Sequence, residues 1–216
     1  MIESITRSSA DVIKEVERSF GDESGVQVTE SDIIRWINRA QLAIVMRNPE
    51  VGQAVAMANI VAAQADYPLI ANVPTVLTIQ SIHVNNKPVK HLPFQEAESF
   101  LMNAPAGTSD EIEFWYERGG IVTLYPTPAT SITNGIKFYF NKRPADITTN
   151  SQLLSVPDHY YNSVVDFCNE QAQLMDENSA LAGIFGQKFE QGVTQMKERT
   201  QTQTDYYPFI TQSEDW

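Results

Sequence analysis

Glu111-Ile112-Glu113-Phe114-Trp115-Tyr116-Glu117-Arg118 and Ile121-Val122-Thr123-Leu124-Tyr125 are two alternating runs joined by Gly119-Gly120. Period-two alternation marks strands, and a Gly-Gly pair supplies the positive φ that a two-residue hairpin turn needs. The first run puts Ile112, Phe114 and Tyr116 on one face and Glu113, Trp115 and Glu117 on the other. Pro126-Thr127-Pro128 stops the second strand. Gly135–Arg143 repeats the pattern, with Ile136, Phe138 and Phe140 alternating against Lys137 and Tyr139. Upstream, Val76–Val84 is β-branched and lies between Pro74 and the turn pair Asn85-Asn86. Val51–Ala65, rich in Ala and Val, fits either period. Phe94–Asn103 reads as a short helix ahead of Pro105.

On both sides of this region the period changes to that of a helix. Ser8 or Ser9 can cap a helix carrying Val12, Ile13, Val16 and Phe20, which Gly21 and Gly25 end. Thr29, with Asp32 three residues on, opens a second helix. Its stripe is Ile33, Ile37, Ala40 and Ile44, widened by Trp36 and Val45, and Pro49 closes it. After Pro157 the positions Tyr161, Val164, Val165, Cys168, Ala172 and Met175 share one face. A break is expected at Asp176-Glu177-Asn178-Ser179, beyond which Leu181, Ile184, Phe185, Phe189, Val193 and Met196 resume the stripe. Gly183, Gly186 and Gly192 each weaken a helix interior by about 1 kcal/mol, a cost expected where a helix approaches a neighbour closely.

The fold class expected is therefore α+β: mainly a helical bundle with an inserted small antiparallel β-sheet or sandwich. The bundle comprises residues 1–50 and 155–200, the β-rich insertion 51–154, and an extended C-terminal tail 201–216.

The chain has 216 residues, with 15 Lys+Arg against 27 Asp+Glu and a net charge of -12. Charged residues make up only 19%, below the roughly 25% usual in soluble domains. No more than two basic residues occur together, which excludes a binder that neutralises phosphates through clustered Lys and Arg. One cysteine excludes an internal disulfide framework. The first residues lack the basic-then-apolar pattern of a signal peptide, and no window has the ~18 apolar residues of a membrane span. A soluble chain synthesised in the cytoplasm, without membrane contact, is the expectation.

Catalytic motifs are missing. His83, His91 and His159 have no second ligand at metal-binding spacing. Cys168 sits on an apolar helix face, the place of a core thiol rather than a nucleophile. No nucleophile elbow, phosphate-cradling loop or dinucleotide fingerprint occurs. Asp110, Glu111, Glu113 and Glu117 cluster near the hairpin, where a solvated strand face is the plainer reading. No catalytic, cofactor or metal residue is assigned.

Two features remain. Residues 158–216 hold ten acidic and three basic side chains, so most of the negative charge lies near the C-terminus. The tail is also apolar where termini are usually polar: Tyr206-Tyr207-Pro208-Phe209-Ile210, then Trp216.

The order of elements resembles the head-to-tail adaptor (connector) proteins of tailed bacteriophages. The resemblance rests first on the two N-terminal helices followed by Asp66-Tyr67-Pro68-Leu69 and the strand leading to Ile82-His83-Val84-Asn85-Asn86-Lys87-Pro88-Val89. It continues with Gly120–Pro128 ahead of Lys137-Phe138-Tyr139-Phe140, then Leu154-Ser155-Val156-Pro157-Asp158-His159-Tyr160-Tyr161 and Phe185-Gly186-Gln187-Lys188-Phe189. Residues 5–200 are covered. The resemblance implies a non-enzymatic virion protein at the head-tail interface, forming a homo-oligomeric ring, a dodecamer, beneath the portal protein. DNA passes through the lumen, and a downstream tail or nozzle protein binds the far side. It further implies that Tyr206, Tyr207, Phe209, Ile210 and Trp216 dock on the portal. The alternatives are another tail ring component, such as a nozzle or tail-completion protein, or a carboxylate-based cell-envelope hydrolase.

Overall fold

Helix boundaries fall at the caps written in the sequence. The structure is a computed structural model that describes residues 7–22, 25–102 and 107–205, the last six as backbone alone. In chain order its elements are α1 (Ser9–Phe20), α2 (Glu30–Arg47), β1 (Gln53–Ile60), β2 (Asp66–Pro68), α3 (Leu69–Asn72), β3 (Val76–Val84), β4 (Lys87–His91), α4 (Phe94–Leu101), β5 (Phe114–Arg118), β6 (Ile121–Tyr125), β7 (Ile132–Lys142), α5 (Tyr161–Met175) and α6 (Ser179–Asp205). Ser8 Oγ accepts from the Asp11 amide at 3.4 Å while the Asp11 carboxylate accepts from the Ser8 amide at 2.9 Å, a complete capping box. Gly21, at φ 81°, ends α1 in the left-handed region. The chain is a mixed α and β protein that divides into two compact units: residues up to Val51 with those from Pro144 onward, and Gly52–Arg143.

The first unit is built from α1, α2, α5 and α6. Its core contains Val12, Val16, Ile33, Ile37, Ile44, Val164, Cys168, Phe189 and Val193, all at most 2% exposed. Gly192 allows α5 and α6 to close up: a Cβ there would stand 2.6 Å from Ser163 Oγ. Gly186 faces Glu170 in the same way, at 2.9 Å, whereas Gly183 has open space around it. Pro144–Leu154, placed with the β insertion on sequence grounds, belongs to this helical unit. Ile147 and Leu154 enter its core, and the Asn38 amide clasps the Ile147 backbone by bonds of 2.9 and 2.8 Å. Ser9 Oγ donates to the carbonyls of Thr149 and Gln152, and Gln41 Oε1 accepts from the Ser155 amide. A segment with no periodicity is held by side-chain to backbone bonds, which leave no pattern in the sequence.

The second unit holds one seven-stranded sheet in the order β1-β7-β3-β4-β5-β6-β2. It is larger than the small antiparallel sheet expected, and β4 pairs with β5 in parallel, Lys90 opposite Phe114. The chain between them passes through α4, and a crossover of that kind is what parallel pairing requires. The undecided segment 51–65 supplies β1. Its register sets Ala54, Ala56 and Ala58 opposite Phe140, Phe138 and Ile136, so small side chains leave room for the rings beside them. The outer strands β1 and β2 are joined by five residues, which span at most ~22 Å from one strand to the other. Seven strands laid flat would set them ~29 Å apart. The sheet is therefore curled, and it encloses Ile60, Tyr67, Ile82, Trp115, Val122, Leu124, Ile136 and Phe138.

Both predicted hairpin turns form. Gly119 and Gly120 have φ of 58° and 77°, and Asn85 and Asn86 of 51° and 64°, the paired positive values of a tight two-residue turn. The facing of β5, however, is the reverse of the sequence expectation. Trp115 pairs with Leu124 and points into the core at 3% exposure, on the face assigned to the acidic residues. Phe114 is buried on the opposite face, stacked on Tyr125 at 4.9 Å, with Phe100 of α4 edge-on at 5.3 Å. Because α4 covers the second face, this strand is apolar on both sides and alternation cannot identify the core side.

Candidate interaction surfaces

Cysteine and histidine are engaged in packing contacts, while the hairpin carboxylates lie on the surface. Cys168 is fully buried, and burial pushes its thiol far above the ordinary range, so it remains protonated. The His83 ring lies on Tyr139 at 4.7 Å, His91 on Trp115 at 4.3 Å and His159 on Tyr160 at 4.6 Å. Burial lowers the His159 pKa against the opposing pull of Asp158. Among the described residues, no group of three or more His, Cys, Asp or Glu is placed to hold a metal ion. Asp110, Glu111, Glu113 and Glu117 are all exposed. The Asp110 carboxylate accepts from the amide and hydroxyl of Thr130 at 2.9 and 2.8 Å, which pins a loop.

The half-buried ionisable groups join helices. Burial raises the Asp166 pKa against the effect of Lys188. Burial and Glu190 raise that of Glu170, opposed by Arg47. Arg47 grips Glu190 in bidentate fashion at 2.6 and 3.0 Å and lies over the Phe189 ring, tying α2 to α6. Both partners are about half exposed, so this pair is worth no more than about 1 kcal/mol. The Tyr161 hydroxyl donates to Glu15 at 2.7 Å; burial first, and that bond second, raise its pKa. These contacts join helices to one another.

The exposed surface is more informative. Met175, Leu181 and Ile184, expected on the core stripe, are 53%, 42% and 49% exposed, and Leu174 is 52%. They flank the α5–α6 turn at Asp176–Asn178, just beyond the buried Gln173, where helical spacing cannot distinguish a core position from a surface one. Their signal in the sequence was two pairs of large apolar residues either side of a polar helix break. Sequence reasoning put Met175, Leu181 and Ile184 on the apolar stripe and did not single out Leu174.

Helix α6 is 27 residues long, about 40 Å at 1.5 Å per residue. It runs through Asp205, five residues into the segment expected to be an extended tail. Gln201-Thr202-Gln203-Thr204 offer no apolar stripe, yet no Gly or Pro interrupts the helix before Pro208. The docking residues expected there, Tyr206, Tyr207, Phe209, Ile210 and Trp216, lie outside the described residues. None of the described helices is long and apolar enough to cross a membrane.

No curated protein is matched. The model of one family, described as SU10 adaptor protein, matches residues 7–212 and so runs through both compact units. The match supports the coarser part of the sequence reading, a phage structural adaptor. On these grounds the chain belongs to the SU10 adaptor protein family.

Proposed function

We propose that the protein is a virion head-to-tail adaptor, which docks beneath the portal, extends the DNA channel and offers the platform for tail attachment. The observation that carries this reading is the family match over residues 7–212. In this reading the helical unit is a ring-forming bundle, the ring is a dodecamer, and the β unit is an insertion within it. The acidic C-terminal third borders the channel, where a basic wall would hold DNA by its phosphates and slow its passage. The aromatic segment beyond α6, with Tyr206, Tyr207, Phe209, Ile210 and Trp216, anchors the ring on the portal; large aromatic side chains are the commonest interface hot spots.

Native mass spectrometry of the protein mixed with its cognate portal tests this. The expected species is a portal complex carrying about twelve copies of the chain in a ring closed by rotational symmetry. A chain truncated after Asp205 should keep its fold and lose the complex. Persistence of the complex after truncation overturns the tail anchoring, and failure of the full chain to bind any portal overturns the adaptor reading.

A further inference from the structure

In a chain of net charge -12, strands β1, β3, β4 and β7 together contain no Asp or Glu, while they carry Lys87, Lys90, Lys137, Lys142, His83 and His91. The pairing register places the outward side chains of this half-sheet. Ile82, Val84, Val89, Ile136 and Phe138 point into the core, so the residues between them point outward: His83, Pro88, Lys90, Lys137 and Tyr139. Val55 and Met57 of β1 lie beside Tyr139 and Lys137 on the same face, 54% and 55% exposed. The face is therefore apolar at the β1 side and basic at the β4 side, and its own strands contribute no acid; Asp110, Glu111 and Glu113 border it only beyond β4, where they line a pocket with Lys87 and Pro88.

The α5–α6 tip has the opposite character. Leu174, Met175, Leu181 and Ile184 present apolar surface around the exposed carboxylates Asp176 and Glu177. Between Arg143 and Lys188 the chain contains no Lys or Arg. Scattered apolar residues on a surface need no explanation, but two apolar patches bordered by opposite charge on one chain do. The SU10 family match itself says nothing of which faces meet.

We propose that these two surfaces bind each other between copies: the α5–α6 tip of one copy sits on the outer face of the β1-β7-β3-β4 half-sheet of the next. Such a contact is heterologous, joining different patches on the two partners, and it repeats from copy to copy until a ring closes. The apolar residues of both patches lose solvent together, while Asp176 and Glu177 meet Lys90 and Lys137 at the rim and set the register. The inference rests on the ring reading above and adds to it the identity of the contacting faces.

Complementary charge reversal tests it. One variant carries Lys90→Glu with Lys137→Glu, the other Asp176→Lys with Glu177→Lys. Each alone sets like charges across the contact and should weaken self-association more than about tenfold, read by sedimentation velocity and native mass spectrometry. Mixed, the two variants restore opposite charges at every contact and should assemble in alternation, in equal numbers. Lys137 is half-buried and bonded to Asn86 at 2.6 Å, so a second basic-face variant, Lys90→Glu with Met57→Glu, alters only exposed positions and should behave alike. If the wild-type chain assembles and the single variants assemble equally well, or if their mixture stays apart, these faces do not meet and the proposal fails while the ring reading stands. If the wild-type chain forms no assembly alone or on the portal, both fail.

Discussion

Replacing Gly192 with Ala should lower stability, against the ordinary preference of a helix. In a helix interior Ala is favoured over Gly by about 1 kcal/mol. At Gly192, however, the new Cβ would lie 2.6 Å from Ser163 Oγ, well inside van der Waals contact, and Ser163 is 4% exposed, so its hydroxyl would have to turn within a packed interface. Overpacking of this kind costs about 1–3 kcal/mol, so the balance runs from about neutral to 2 kcal/mol of loss. Gly183 is the internal control on the same helix: nothing lies within 4 Å of its Cβ position, and Gly183→Ala should gain about 1 kcal/mol. Urea unfolding followed by far-UV circular dichroism measures both. Ser163→Ala removes the opposing hydroxyl, so the double variant Ser163→Ala with Gly192→Ala should show a favourable coupling of about 1 kcal/mol or more in the double-mutant cycle. If Gly192→Ala stabilises the protein as much as Gly183→Ala does, the close approach of α5 and α6 at Ser163 is refuted.

Gly135→Ala should destabilise the β unit by about 1–3 kcal/mol, since its Cβ would stand 2.6 and 2.8 Å from Ile60 Cδ1 and Cγ1, and Ile60 is buried; thermal unfolding reads the shift. The Asp11 pKa is lowered chiefly by the Ser8 amide and hydroxyl, so the stability this carboxylate contributes is present above its ordinary value of 3.8 and lost as pH falls through the folded value. Ser8→Ala should cost about 1 kcal/mol at neutral pH and reduce that acid dependence without abolishing it, because the Ser8 amide still donates to Asp11; urea titrations across the acid range measure both. Burial raises the Asp166 pKa, so its effect has the opposite sign: the folded state binds the proton more tightly, and stability falls as pH rises from the ordinary carboxylate range through the raised value. Asp166→Asn should therefore be more stable than wild type at neutral pH and lose that advantage in acid, by the same titrations.

Much of the fold was legible where the determining interaction is local. The cap at Thr29, that at Ser8 (one of two serines the spacing allowed), the break within Asp176–Ser179 and the turns at Asn85-Asn86 and Gly119-Gly120 each depend on residues within four positions of one another, and the structure forms all of them. What escaped depends on distant partners. Val51–Ala65 was ambiguous because its alanines have meaning only opposite Phe138 and Phe140, some eighty residues away. Trp115 kept its place opposite Phe114, but alternation could not show that its face is the core side, because α4 covers the other one. Leu181 and Ile184 passed for core because helical spacing reports a face and not what covers it. An interaction surface is therefore harder to recognise from sequence than an enzyme site, which announces itself by residue type.

The division of the chain follows from one register. Gln53 pairs with Asn141, so the β unit leaves and re-enters the helical unit through neighbouring antiparallel strands whose Cα atoms are about 5 Å apart. The helical unit is assembled from two stretches of sequence, and its core joins Ile33, Ile37 and Ile44 to Val164 and Cys168 across the whole insertion. Closing a disordered loop of some ninety residues, rather than about ten, would cost the helices roughly 2 kcal/mol of loop entropy. Once β1 and β7 have paired, that loop is only as long as the gap between two adjacent strands, and the penalty is met within the sheet instead. The side-chain bonds from Ser9, Asn38 and Gln41 to the 147–155 segment then fix the returning chain at the point where it rejoins the helices. For the helices the β unit thus acts as a short turn.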